Sequence, residues 1–174
     1  MSFSISKPEP ATAAALVAAI GALTIATVYV FQYGLGYQPC PLCYEQRDAY
    51  YVSIPLAVLL WLGVNYGASR KVLLLGFAVI ALAFLWNMGL ASYHAGVEWH
   101  WWAGPSDCSG GLGKLGNAGG LLKQLNKVVT ARCDEAAWRF LGISMAGYDV
   151  LISLALAVIA LWGLRGAMLR KEEA

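Results

Sequence analysis

Four long stretches without any charged side chain limit what this chain can fold into more than any other feature of its sequence. They cover residues 11–33, 49–69, 72–93 and 150–164. A helix needs about 20 apolar residues to cross a hydrocarbon layer of about 30 Å. The first three stretches meet this requirement, and the fourth meets it once Gly147, Tyr148 and Asp149 are included. We therefore expect Asp149 near one interface or facing the interior of a bundle.

The composition favours a membrane protein over a soluble one. The chain has 174 residues, of which 59% are hydrophobic and 13% are charged, whereas soluble domains carry about 25% charged residues. A single core of this size cannot hide so much apolar surface, so water is excluded as the solvent for all of it. The formal net charge is only +2, and no basic cluster stands out, which argues against nucleic-acid binding.

The sequence therefore predicts an all-α membrane protein, a four-helix transmembrane bundle forming one domain over residues 1–174. The spans are expected at about 11–33, 49–66, 71–93 and 146–165, with outer loops at 34–48 and 94–145. The first span could instead be a secretory signal. Its apolar stretch is longer than the roughly 7–15 residues of a signal core, and no convincing cleavage site follows, so an uncleaved helix is favoured.

The longer outer loop is the only segment large enough to form a structure outside the membrane. Seven of the 19 glycines lie between Gly104 and Gly120, a density typical of a mobile loop. The next stretch, residues 121–129, places its leucines and valines on one helical face. This pattern predicts a short helix on the membrane interface, although a loop helix packed on the bundle fits it equally well.

Four spans put both outer loops, and with them all four cysteines, in the same compartment. Six basic residues lie in the termini and the short turn between spans two and three, and six lie in the two outer loops. The basic residues of the termini and the short turn are more densely placed near the helix ends, which favours cytoplasmic termini by the positive-inside rule. The cysteines would then face a compartment in which disulfides persist.

Cys40 and Cys43 form a C-x-x-C pair at the mouth of the second span. Such a pair is a redox disulfide, half of a metal site or a coincidence. Zinc sites combine two close pairs, or one pair with nearby histidines, whereas Cys108 and Cys133 are 25 positions apart. A structural disulfide between such close neighbours would stabilise little through chain entropy. The pattern therefore favours redox chemistry, and we assign no metal ligand from the sequence.

The surroundings of Cys43 favour a reactive sulfur. Cys43 is expected at or just before the start of the second helix, where free backbone N–H groups favour an anion. Arg47 follows four residues later on the same helical face. Both effects favour the thiolate, which is the nucleophile. An arginine at a membrane interface is also a common topology anchor, but its position beside a C-x-x-C favours a functional role.

Cys108 and Cys133 are a second candidate pair. Four cysteines allow three pairings, and if Cys40 bonds to Cys43 the other two must pair with each other. A glycine-rich setting would leave that bridge open to an incoming thiolate, as thiol–disulfide exchange requires. A static bridge that merely staples the loop is the alternative.

His94 ends the third span and is followed by three tryptophans. A buried, hydrogen-bonded histidine or an interfacial one is commoner than a ligand. Trp99, Trp101 and Trp102 are typical of an aromatic belt at the level of the lipid headgroups. Asn87, inside the span, is expected to form a hydrogen bond to a neighbouring helix.

These features resemble the disulfide bond formation protein B (DsbB) family, the quinone-linked thiol oxidases of bacterial inner membranes. The resemblance covers nearly the whole chain. Besides the four spans, it rests on the C-x-x-C-x-x-x-R stretch at 40–47, Tyr-His-Ala-Gly-Val-Glu at 93–98, Gly-Pro at 104–105 before Cys108, Cys-Asp-Glu at 133–135 and Trp-Arg-Phe-Leu-Gly at 138–142. A lone C-x-x-C is a weak signal, but this ordered set is a specific one.

The resemblance implies a role for each matching residue at the C-x-x-C end. Cys40 and Cys43 match the pair that passes electrons to a bound quinone, either ubiquinone or menaquinone, with Cys43 nearest the ring. Arg47 matches the arginine that supports quinone binding, and His94 matches a histidine near the same site. A proline at the second position of the C-x-x-C is a modest departure.

The resemblance also implies a partner and a location. Cys108 matches the cysteine attacked by a periplasmic, thioredoxin-like protein of the DsbA type. Cys133 matches its exchange partner, which can bridge transiently to Cys40. The protein would lie in the bacterial inner membrane, in contact with lipid and quinone, with its termini in the cytoplasm and its cysteine loops in the periplasm.

Two other functions fit part of the pattern. Quinone reductases of the vitamin K epoxide reductase type also use a four-helix bundle, a C-x-x-C and a second cysteine pair. In that family the C-x-x-C lies late in the chain, whereas here it follows the first span. A membrane scaffold with two inert disulfides is the non-enzymatic alternative.

Overall fold

The computed structural model of the protein describes residues 9–105 and 132–170. In these ranges four helical segments are long and apolar enough to cross a membrane, which confirms the predicted fold class. They are α1 (Pro10–Tyr29), which continues into a π-helical turn (Val30–Gly34), α2 (Pro41–Asn65), α3 (Arg70–Glu98) and α4 (Met145–Leu169). Most of the glycine-rich stretch, from residue 106 onward, and the short helix expected at 121–129 lie outside the described residues.

Two helices extend further into the outer loops than the sequence predicted. Helix α2 begins at Pro41, slightly before the start expected at Cys43 and well before the apolar span, because proline lacks an N–H and suits the first helical position. Helix α3 continues to Glu98 rather than ending at residue 93. Our boundaries followed the end of each charge-free run, but a helix does not stop where the membrane does. Cys43, Arg47 and His94 therefore all lie on helices.

The four helices form a ring in chain order. Helices α1 and α3 each pack against both α2 and α4. Glycines allow the closest approaches: a Cβ atom at Gly163 would lie 2.5 Å from a ring carbon of Phe77, and one at Gly76 would lie 2.5 Å from a methyl group of Leu60. Since lipid provides no hydrophobic force between helices, such small-residue contacts hold the bundle together by close packing.

Asp149 faces the interior of the bundle, one of the two positions expected for it. Its carboxylate accepts hydrogen bonds from the Tyr50 hydroxyl at 2.5 Å and from the Asn87 amide at 3.0 Å. The Asn87 amide also donates to Ser153 Oγ at 2.9 Å, which confirms the interhelical hydrogen bond expected for Asn87. These bonds join α2, α3 and α4, and they provide the partners that a carboxyl group inside a membrane requires.

A small hairpin lies between Cys133 and α4. Strands β1 (Arg139–Phe140) and β2 (Ile143–Ser144) pair antiparallel, and the turn residues Leu141 and Gly142 have φ values of 51° and 83°. Two positive φ values in succession are typical of a tight type I′ turn. Just before β1, the Trp138 ring contacts Phe31 with ring centroids 5.3 Å apart. This contact holds the segment after Cys133 against the end of the bundle that carries the C-x-x-C.

Candidate redox site

Cys40 and Cys43 lie at the start of α2, where Cys40 is the N-cap residue. The Cys43 backbone N–H donates to the Cys40 sulfur at 3.2 Å, so the side chain of Cys40 satisfies one of the helix's free N–H groups. The two sulfur atoms are 2.6 Å apart, and both residues are free cysteines. The sequence suggested Cys43 at or before the helix start, whereas the structure has it inside the first turn.

The two sulfurs differ in their surroundings. Cys40 is buried and Cys43 is partly exposed. The hydrogen bond with the Cys43 sulfur, together with burial, raises the pKa of the Cys40 thiol. Of the two thiols, Cys40 is therefore the one that holds its proton more firmly.

Arg47 lies one turn below Cys43 on the same face of α2 and is only 7% exposed. Its guanidinium donates to the Gln32 side-chain oxygen at 2.7 Å and lies 4.9 Å from the centroid of the Tyr44 ring. An arginine acting as an interfacial anchor would keep its charged group in water. The burial of this guanidinium among protein groups instead favours a role within the site.

Gln32 was not singled out from the sequence. It belongs to the π-helical turn Val30–Gly34 that ends the first span, and such turns are frequent at functional sites. A polar residue near the end of an apolar span is the only sequence signal that pointed to it.

His94 joins the C-x-x-C from the last part of α3. Its Nε2 atom lies 3.6 Å from the Cys40 sulfur, and its Nδ1 atom lies 2.9 Å from Gln46 Nε2. An amide N–H donates, so this contact leaves the histidine proton on Nε2, the nitrogen that faces Cys40. Gln46 was also not singled out from the sequence. It lies three residues after Cys43, on the same face of the helix.

Glu98 lies one turn beyond His94, and its carboxylate is buried beside the imidazole. The Glu98 Oε1 atom is 4.0 Å from His94 Nε2, while its Oε2 atom has no hydrogen-bond partner in the described part of the chain. The carboxylate adds negative charge to the His94 side of the site. This electrostatic contribution was not foreseen from the sequence, where Glu98 was only part of a matching stretch.

Cys133 is brought to the same place by the tertiary fold. It is completely buried, and its sulfur lies within 4.8 Å of both the Cys40 sulfur and a His94 ring nitrogen. Cys133 is disulfide-bonded. Cys108 lies outside the described residues, so the Cys108–Cys133 pairing stays a prediction.

The sulfur atoms share an apolar environment on one side and a charged rim on the other. Cys40 and Cys133 pack in one buried cluster with Leu42 and Val97, which keeps water away from the sulfurs. On the rim, the Arg132 guanidinium donates to the Asp134 carboxylate at 2.8 Å, and this bond holds the pKa of Asp134 below its usual value. The site can therefore bring sulfurs from two separate chain segments together in a dry setting, which is the geometry for thiol–disulfide exchange.

Comparison with known proteins agrees with this chemistry. The family model described as "Disulfide bond formation protein DsbB" matches residues 10–163. Disulfide bond formation protein B of Xanthomonas axonopodis pv. citri (strain 306) is 35% identical over 142 residues, which are 78% of this chain and 78% of that protein. The protein of the same name from Psychrobacter sp. (strain PRwf-1) is 27% identical over 151 residues, 83% of this chain and 84% of that protein.

No solved structure matches the chain. The family model nevertheless covers residues 10–163, and the Xanthomonas relative is aligned over 78% of the chain. The chain therefore belongs to the DsbB family, whose members are membrane oxidoreductases of disulfide bond formation.

Proposed function

We propose that the protein is a membrane thiol:quinone oxidoreductase. It reoxidises a periplasmic, thioredoxin-like dithiol oxidase of the DsbA type and passes the electrons to a membrane quinone. The observation that carries this proposal is the distance of less than 4.8 Å between the Cys133 and Cys40 sulfurs. Electrons received at the cysteine of the long loop can reach the C-x-x-C through direct sulfur–sulfur exchange at that distance.

The residues around Cys43 fit a bound quinone. The Arg47 guanidinium provides hydrogen-bond donors for a carbonyl oxygen, and the exposed Tyr44 ring provides an apolar face beside it. Cys43 itself is only partly buried and lies one turn away on the same helix. When bound, the quinone supplies a two-electron acceptor. Arg47, Tyr44 and Cys43 would hold it at the end of the bundle.

The first chemical step takes place in the long loop. A thiolate of the reduced partner attacks the Cys108–Cys133 disulfide at Cys108, and Cys133 leaves as a thiolate. The partner's second thiol then attacks the mixed disulfide, so that the partner leaves oxidised and Cys108 is released. Two electrons have then moved from the partner dithiol to Cys108 and Cys133.

The second step transfers these electrons to the C-x-x-C. The Cys133 thiolate attacks Cys40 in the Cys40–Cys43 disulfide, and Cys43 leaves as a thiolate. Cys108 resolves the Cys40–Cys133 bridge, which restores its own disulfide with Cys133 and releases Cys40 as a thiol. The pair that has gained two electrons now has its anionic sulfur, Cys43, one helical turn from Arg47.

His94 assists when Cys40 is released. Its Nε2 atom faces the Cys40 sulfur at 3.6 Å, and Gln46 keeps the proton on that nitrogen. A hydrogen bond to a developing thiolate stabilises it as a leaving group, and a good leaving group accelerates exchange. The Cys40 thiolate then takes up a proton, in agreement with the raised pKa of this thiol.

The proposed location follows the charge pattern and the redox balance. Cytoplasmic termini put the cysteine loops in the periplasm of a bacterial inner membrane, where disulfides persist. A DsbA-type partner is a strong oxidant, with a reduction potential of about −120 mV. Its reoxidation needs an acceptor that continues to remove electrons, which a membrane quinone pool does. Reduction assays with ubiquinone and with menaquinone decide which of the two quinones the protein uses.

The decisive experiment is a quinone reduction assay with the purified protein, a quinone and a reduced thioredoxin-like partner. We expect partner-dependent loss of quinone absorbance in the native protein and none in Cys43→Ser. Lys71→Ala is the matched control, because Lys71 lies at the start of α3, about 35 Å along the helix from His94. Absence of partner-dependent reduction in the native protein would refute the proposal and leave the structural-disulfide alternative.

A further inference from the structure

Three potential metal-binding atoms converge at the buried side of the redox site. The sulfurs of Cys40 and Cys133 and a ring nitrogen of His94 all lie within 4.8 Å of one another, and all three residues are buried. The sequence disfavoured a metal site because the second pair of cysteines is widely spaced. Tertiary structure overturns that argument, since it brings one of these cysteines and a histidine to the C-x-x-C.

The distances match the dimensions of a zinc site. With a Zn–S bond of about 2.3 Å and a Zn–N bond of about 2.0 Å, two tetrahedral ligands lie about 3.5 Å apart. The Cys40 sulfur and His94 Nε2 are 3.6 Å apart, so a single ion fits between them without displacement of either side chain. Two sulfur ligands lie about 3.8 Å apart on zinc, so the Cys133 sulfur, within 4.8 Å of the other two atoms, would shift by about 1 Å to join them.

The surroundings provide the other features of a metal centre. Gln46 contacts Nδ1 of His94, the ring nitrogen that faces away from Cys40. A polar partner on this second nitrogen orients a histidine ligand, and the amide can rotate to present its oxygen when Nδ1 carries the proton. Leu42 and Val97 pack around the sulfurs, which reduces competition from water.

We propose that the fully reduced protein binds a soft divalent metal ion, such as Zn²⁺, through Cys40 Sγ, Cys133 Sγ and His94 Nε2. Each cysteine loses its proton to solvent, so binding releases two protons and transfers no electrons. The two thiolates neutralise the charge of the ion. The described residues that converge provide three protein ligands, and Cys43 is not one of them.

Binding depends on the redox state of the protein. Cys133 is disulfide-bonded in the structure, and a sulfur in a disulfide does not ligate zinc as a thiolate does. The site is therefore complete only when this disulfide and the C-x-x-C are both reduced. Under the proposed function, on which this consequence rests, metal binding removes the reduced enzyme from the cycle until the ion dissociates.

The test uses Co²⁺ as a coloured substitute for zinc, with neither quinone nor partner present. The detergent-purified protein is reduced with dithiothreitol, freed of reductant under nitrogen and titrated with Co²⁺. We expect one equivalent to bind with sulfur-to-cobalt charge-transfer absorbance, and one equivalent of Zn²⁺ to bleach it. The protein reoxidised with the thiol oxidant diamide, so that both disulfides are formed, should give no such absorbance. Equal absorbance in the reduced and oxidised forms would overturn the inference.

Variants identify the ligands. His94→Ala and Cys133→Ser should each weaken Co²⁺ binding by more than about tenfold, since even outer-shell changes cost roughly 10- to 100-fold in metal affinity. His94→Gln tests the same ligand with a smaller change in packing, and far-ultraviolet circular dichroism checks that each variant is folded. His100→Ala is the matched control, because His100 is the second histidine of the chain and is exposed. Unchanged affinity in His94→Gln and Cys133→Ser would refute the ligand set.

Cys43→Ser separates this inference from the proposed function. It should abolish quinone reduction yet retain Co²⁺ binding, because Cys43 is not a ligand. Loss of Co²⁺ binding in this variant would overturn the three-residue site. Metal binding by a native protein that reduces no quinone would refute the proposed function alone, and quinone reduction without metal binding would refute this inference alone.

Discussion

Gln46 and His94 form a contact between α2 and α3 that orients the redox site: Gln46 Nε2 lies 2.9 Å from His94 Nδ1. The contact directs the opposite nitrogen, Nε2, at the Cys40 sulfur. A histidine without this partner can carry its proton on either nitrogen. The amide of Gln46 thus selects the form that stabilises a thiolate at Cys40.

The first prediction concerns this contact. Gln46→Leu should slow partner-dependent quinone reduction by at least roughly tenfold, because a hydrogen bond to a charged group contributes about 1.5–3 kcal/mol and about 1.4 kcal/mol is tenfold in rate. The ¹⁵N shifts of the His94 ring should also change from one neutral tautomer to a mixture. Glu45→Gln is the control, since Glu45 is the exposed neighbour on the same helix. A rate loss without any change in the His94 shifts would contradict the assigned role.

The second prediction concerns Arg47. Arg47→Ala should raise KM for quinone by about tenfold or more with little change in kcat, as expected when a binding interaction is lost. Arg47→Lys should recover only part of the affinity, because an ammonium group lacks the planar fork of the guanidinium. Steady-state kinetics measure both values. If Arg47→Ala instead lowers Tm sharply and leaves KM unchanged, Arg47 is a structural anchor.

The third prediction concerns sulfur exchange between the two segments. In Cys43→Ser the Cys40 thiol has lost its C-x-x-C partner and lies within 4.8 Å of the Cys133 sulfur. We expect this variant to accumulate a Cys40–Cys133 disulfide, which mass spectrometry of non-reduced peptides detects. The double variant Cys43→Ser/Cys40→Ser should not form it. A Cys43→Ser protein with Cys40 entirely as free thiol would argue against transfer between these sulfurs.

The fourth prediction concerns stability rather than redox chemistry. Asp149→Leu removes the acceptor for the Tyr50 hydroxyl and the Asn87 amide, and each unsatisfied buried donor costs about 1–3 kcal/mol. Tm in detergent should therefore fall, while KM for quinone stays unchanged. Leu151→Ala, at a half-exposed site on the same helix, should have a much smaller effect. An equal decrease in both variants would show that the polar network contributes nothing specific.

Parts of the site could be read from local sequence because they depend on neighbours along one helix. Cys40, Cys43 and Arg47 follow each other at helical spacing, so their shared face and the helix N-terminus were predictable. The exact first residue of α2, Pro41, lies slightly before the expected start, in a segment that was assigned to the outer loop from the sequence. Gln46 and Gln32 were missed, because an uncharged polar side chain in a span has no pattern that distinguishes a functional contact from a structural one.

The amino-acid sequence determined the four spans, since a charge-free run of about 20 residues satisfies its backbone in lipid only as a helix. It also determined that the cysteines face one side, because this follows from the number of spans. Only the tertiary structure decided that His94 and Cys133 meet at Cys40, as that requires α3 and the segment before the hairpin to pack against the start of α2. Contacts between residues 54 and 93 positions apart have no counterpart in local spacing, so they come from packing alone.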